Sequence, residues 1–205
     1  MNTRYLPLVL PLFSLLWLTG SVAIAGHFYP DYSHIAQFIS ELGATGSPYG
    51  FYLNYLGFIP TELFMLGFVV VSYSALPRTK LNIIGLIFIT VYVVSLCAAA
   101  FFPCDFECRP DKPTLSHIVH MAITLPGYIC GILAVVCISS GSHSWSKSNL
   151  LKVVGYTASV LAVIAFFNLN PSSEIVGLIQ RLFELTLYSW FIFMGYCLSK
   201  KAQMN

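Results

Sequence analysis

Phe101-Phe102-Pro103-Cys104-Asp105-Phe106-Glu107-Cys108-Arg109-Pro110-Asp111-Lys112-Pro113-Thr114-Leu115-Ser116-His117-Ile118-Val119-His120 is the densest polar island in an otherwise apolar chain. It holds two of the three Asp, two of the five His and two of the six Cys. Residues 81–102 before its core and 116–139 after it contain no Asp, Glu, Lys or Arg. A membrane-spanning helix needs about 20 apolar residues. The island is therefore a loop between two spans, and the rest of the chain can be read outward from it.

Composition agrees. Of 205 residues, 57% are hydrophobic and only 9% charged, where a soluble domain carries about a quarter charged. The expected fold is all-α: a single bundle of six transmembrane helices over 1–205, with spans near 5–25, 53–75, 81–102, 116–139, 151–167 and 175–198. No length remains for a soluble domain, and no nucleic-acid module, P-loop or dinucleotide fingerprint is present. The first run ends Ala23-Ile24-Ala25, which also fits a signal-peptide cleavage site, but its apolar core is longer than such a leader uses. A retained span is expected.

The longest polar connection, 27–52, mixes aromatic residues with turn formers. Such rings favour the membrane–water interface. Ile35, Phe38, Ile39 and Leu42 follow the i, i+3, i+4, i+7 rule and predict a short interfacial helix stopped by Gly43. Orientation follows from the basic residues. With the N-terminus inside, Arg4, Arg78, Lys80, Lys147, Lys152, Lys200 and Lys201 are cytoplasmic, against Arg109 and Lys112 outside. By the positive-inside rule both termini of this cell-membrane protein are expected to be cytoplasmic.

Most candidate functional residues then gather at the outer face. Arg181 is expected roughly 10 Å below the outer end of the sixth span, with Glu184 and Glu62 slightly deeper. A charge at bilayer depth is costly and calls for a partner or a function. Arg181 is therefore expected to pair with Glu184 or Glu62. Either the pair ties two helices together, or these residues and Ser40 bind a substrate. His117 and His120, three apart, share a helix face. With Asp105 they can be read as ligands for a divalent metal such as zinc. With Asp105 and Glu41 they can be read as acid–base groups acting on water. A Ser/His/Asp arrangement using Ser40 or Ser116 lacks the pattern expected around a nucleophile. Cys104 and Cys108, in an outer loop, can close a disulfide or join the histidines at a metal. Cys97, Cys130, Cys137 and Cys197 read as small packing residues.

Several of these elements form a recognisable set. Ile39-Ser40-Glu41-Leu42-Gly43 with Gly46-Ser47-Pro48, then Phe102-Pro103-Cys104-Asp105 with His117 and His120, then Gly177-Leu178-Ile179-Gln180-Arg181 fall in order along the chain. Together they resemble the bacterial and archaeal multi-pass family catalogued as domain of unknown function 998. The first element is also similar to a loop of the DRAM/Sfk-type six-span proteins. The resemblance implies a six-helix membrane fold and no particular activity; the Cys104/Cys108 pair is not part of its pattern.

Polar groups at headgroup depth point to a membrane lipid or a lipid-linked headgroup as partner, bound or hydrolysed in a cavity at the outer face. Arg181 would there grip a phosphate or carboxylate. The competing expectation is a small transporter or membrane-organising scaffold, with Glu62, Arg181 and Glu184 as a polar relay.

Overall fold

The computed structural model describes residues 3–146 and 149–204; Lys147, one of the basic residues that orient the chain, lies outside them. Six helices are long and apolar enough to cross a membrane. They are α1 (Leu6–His27), α2 (Gly50–Ala75), α3 (Lys80–Ala99), α4 (Leu115–Gly141), α5 (Leu150–Phe167) and α6 (Val176–Met204). The shortest, α5, has 18 residues. At 1.5 Å per residue that is about 27 Å, close to the roughly 30 Å hydrocarbon layer.

Each helix packs on the next in sequence, and α6 returns to pack on α1, so the six form a closed ring. Apolar side chains such as Phe13, Leu16, Val70, Ile87 and Val160 cover the outside. Between helices in lipid there is little hydrophobic driving force, so close backbone approach decides contact. The tight α3–α4 seam uses Gly127 and Gly131, one turn apart: a Cβ at the first would press on Ser95, and at the second on Leu187 and Tyr92. Gly195 does the same for the closing seam, lying against the backbone of Pro7 and Leu8. The most buried helix is α6. Its Phe183, Leu187, Tyr188 and Phe191 are fully enclosed.

Local chemistry sets the helix ends. The Thr79 side chain caps α3 at Asn82 N, and the Thr114 side chain caps α4 at His117 N, each satisfying a donor left over in a first turn. The third span ends sooner than expected, at Ala99, and 100–102 form turns bonded to Cys97, Ala98 and Ala99. Pro103 accounts for the break, because the residue before proline avoids helical geometry. In α2, residues Leu53–Phe58 form a π-helical turn immediately before Ile59 and Pro60. Proline cannot accommodate the carbonyl four residues back. That carbonyl, Leu56 O, accepts a 2.8 Å hydrogen bond from Trp17 Nε1 instead.

The predicted interfacial helix over Ile35–Leu42 is not formed. Only Ser40–Gly43 is helical, as a short 3-10 turn that ends at Gly43 as expected. Side chains have taken the donors a helix would use. Phe38 N bonds Glu41 Oε1 and Ile39 N bonds Gln180 Oε1, while just before the run Ser33 N bonds Gln37 Oε1.

Candidate functional site

Two loops, 28–49 and 100–114, close the end of the ring opposite the chain termini. Glu41 turns inward and is 1% exposed. Its carboxylate accepts from Phe38 N at 2.9 Å and Gln37 Nε2 at 3.0 Å, and it meets Arg109 Nη2 at 3.2 Å. Burial pushes the Glu41 carboxyl above the usual range, outweighing the Phe38 and Gln37 donors and Arg109, which pull it down. Arg109 thus ties the second loop to the first, and its other bond, to Ala36 O at 3.1 Å, reinforces the tie.

Asp105 caps α4. Its two oxygens accept from Thr114 N at 2.8 Å and Thr114 Oγ1 at 2.7 Å, and these bonds hold its carboxyl below the usual range. Cys104 and Cys108 are joined in a disulfide that sits on the Ser40 turn, where Ser40 Oγ lies 3.4 Å from Cys108 Sγ. A disulfide sulfur has no hydrogen, so the serine hydroxyl is the donor there. Thr45 N donates to Cys104 O at 2.8 Å, adding a further link between the loops.

The expected pairing of Arg181 with Glu184 or Glu62 is corrected: among the described residues no carboxylate lies within ion-pair distance of Arg181. Its guanidinium points to the first loop and to its own helix. It donates to Tyr32 Oη at 2.8 Å, His34 Nδ1 at 3.0 Å, Gln37 O at 3.1 Å and Gly177 O at 3.0 Å. An arginine only donates, so His34 Nδ1 carries the lone pair and the ring is neutral. Burial and the guanidinium both hold the His34 pKa below the ordinary value, while burial pushes the Tyr32 phenol up to about 12. Four neutral acceptors, rather than one acid, satisfy this charge.

The residues expected to hold a metal are engaged elsewhere in this structure. Among the described residues no three His, Cys, Asp or Glu converge as a metal ion needs. His117 Nδ1 accepts from Asp105 N at 3.2 Å, and His120 Nδ1 lies 2.8 Å from Phe102 O. Both Asp105 oxygens are taken by Thr114. These bonds occupy one ring nitrogen of each histidine and both oxygens of Asp105. Of the four residues expected to do acid–base chemistry, His117 and Asp105 lie side by side, Glu41 is held between the loops, and only His120 lines the interior space.

That space is a cavity of about 230 Å³ beneath the loops. Ser40, Glu62, His120 and Glu184, all singled out above, line it. Asn54, Thr124, Tyr128 and Gln180 line it too and were not assigned a role from the sequence. Asn54 and Gln180 interrupt apolar runs, a signal that was available. The two tyrosines that serve Glu184, Tyr92 and Tyr128, gave none, because a tyrosine in a span reads as packing.

The polar groups form an ordered chain. Ile39 N–H can only donate, so Gln180 receives it through Oε1, at 2.6 Å. Gln180 Nε2 then donates to Tyr128 Oη at 2.9 Å, leaving the phenolic hydrogen for its bond to Glu184. From the other side Tyr92 Oη donates to Glu184 Oε2 at 2.6 Å. Every donor in this chain runs toward Glu184. Glu62 is near enough for the two acids to interact electrostatically, yet its Oε2 is buried with no hydrogen-bond partner.

Six apolar helices in a closed ring define a multi-pass membrane protein, here with a partly polar cavity under two stapled loops. The chain belongs to the family described as "Protein of unknown function (DUF998)", whose model matches residues 12–196. No curated protein and no solved structure matches the chain.

Proposed function

We propose that the protein binds one amphiphile, a lipid or lipid-linked molecule, with its polar end in the cavity at the outer face of the cytoplasmic membrane. The observation that carries this reading is Glu62 Oε2, buried without a partner in the wall of a cavity. An unmet buried acceptor costs about 1–3 kcal/mol, and a donor on a ligand would offset that cost. The apolar part of the ligand would lie on Leu18, Phe58, Leu96 and Leu125, which share the wall with the polar groups. Binding rather than hydrolysis is proposed because, of the four residues expected to act on water, only His120 lines the cavity. A relay through Arg181 loses its support for the same reason: the guanidinium is committed to the first loop.

Protein purified from membranes is expected to carry one amphiphile per chain by native mass spectrometry. Leu96→Trp, which fills the cavity from α3, should lose it while melting at a similar temperature. Wild-type protein with no bound molecule would overturn the reading.

The outward placement of the cavity is part of the proposal and rests on the basic residues, with Arg78, Lys80 and Lys152 at the opposite end of the helices from Arg109 and Lys112. In a background lacking native cysteines, a Cys at Asp111 should react with an impermeant thiol reagent in intact cells, and one at Thr79 should not. The reverse pattern would invert the protein in the membrane.

A further inference from the structure

Building on the amphiphile-binding reading, we infer that the ligand's polar end is a protonated amine, recognised by Glu62 and Glu184 together. Three observations converge on a cationic donor. First, two carboxyl groups from different helices, α2 and α6, line one cavity, and among the described lining residues there is no Lys or Arg. Arg181, the nearest arginine in sequence to Glu184, is held elsewhere by Tyr32, His34, Gln37 and Gly177.

Second, the donors of this chain end on Glu184, and none of them reaches Glu62 Oε2. The chain from Ile39 N–H through Gln180 and Tyr128 ends on Glu184, and Tyr92 ends there too. Glu62, 5% exposed, keeps an unpartnered oxygen in the wall of the cavity. An ammonium group carries several N–H donors and no acceptor, so it can serve both carboxyls at once. A phosphate offers the reverse, acceptors and negative charge, and two acids would repel it.

Third, the surroundings suit an ammonium with an alkyl chain. Tyr128, Phe38 and Phe58 bring aromatic rings to the wall, and ring faces attract cations. Leu18, Leu96 and Leu125 provide the apolar remainder. The size is adequate for a headgroup with the first part of a chain; longer tails would pass out between helices into lipid.

Three single-chain probes of equal length, hexadecylamine, hexadecanol and hexadecyl phosphate, separate the possibilities. Each is added at the same mole fraction to protein in dodecyl maltoside at neutral pH, and retention is read by native mass spectrometry. The amine should be retained at one per chain and preferred over the alcohol roughly tenfold or more, as a charge-assisted hydrogen bond implies. Glu62→Gln and Glu184→Gln should each bring the amine down to the level of the alcohol. The wild-type ratio stands without any variant, so a misfolded substitution cannot hide the result. Equal retention of amine and alcohol, or preference for the phosphate, would overturn the amine assignment while leaving an amphiphile site. Retention of none of the three would overturn both.

Discussion

Replacing Gly195 with leucine is expected to stop the protein accumulating in a folded, monodisperse form. A Cβ at this position would collide with the carbonyl of Pro7 and lie 3.1 Å from Leu8 Cα. These are backbone atoms of α1 and cannot rotate aside as a side chain would. Overpacking typically costs about 1–3 kcal/mol and occasionally more. Here the obstruction is rigid and lies on the contact that closes the ring, so the upper part of that range applies. Gly20, also in a span, has nothing within 4 Å of its added Cβ, so Gly20→Leu is the matched control and should change little. Fluorescence-detected size exclusion and thermal melting read both. A Gly195→Leu protein as monodisperse and as stable as Gly20→Leu would mean that α6 does not close on α1 as described.

Arg181→Ala should loosen the first loop, at a cost of about 1.5–3 kcal/mol from hydrogen bonds to a charged group, reduced by the partial exposure of the side chain. It removes three bonds that join the start of α6 to Tyr32, His34 and Gln37, and one to Gly177 O within α6 itself. Arg181→Lys should rescue little, because one ammonium cannot span acceptors set out for a planar fork. Cleavage of residues 28–49 by added protease, with the melting temperature, gives the measurement. Full rescue by lysine would show that charge alone holds the loop.

The same contact makes the loop sensitive to acid. His34 accepts from Arg181 only as the neutral ring, and its folded pKa is held below the ordinary value by burial and the guanidinium. A lowered folded pKa means the unfolded chain binds the proton first, so this contribution is present above the unfolded value and is lost as pH falls through the folded one. Cleavage in 28–49 should therefore rise as the medium is acidified below the normal imidazole range.

Long apolar runs made the six spans legible, because length and absence of charge are properties of consecutive residues. The partners of individual charges were not, because those depend on how far a loop folds in. Glu41 reads as a loop acid and is in fact buried against Arg109. Arg181 and Glu184, three apart on one helix, read as a pair; the neutral acceptors of the first loop claimed one and two tyrosine hydroxyls the other. The interfacial helix failed for a related reason: Glu41 and Gln180 supply acceptors to its backbone, and Gln37 to that of Ser33 just before it, which hydrophobic periodicity does not register. For the site, the depth of Glu62, His120 and Glu184 could be estimated by counting along the helices. Their convergence on one cavity required the ring.

Closure of that ring by the last helix has a consequence for synthesis in the membrane. Five helices can be delivered in order, each against its predecessor, yet α1 has only one flank covered until α6 arrives. The arriving helix brings Gln180 and Glu184 together with Gly195. Before it docks, Tyr92 and Tyr128 lack their acid, and the backbone of Pro7 and Leu8 lacks the glycine that packs on it. Completion of the polar chain and sealing of the barrel wall are thus one event, the insertion of the final 29-residue helix. A chain stopped short of it would hold an open seam rather than a smaller working site.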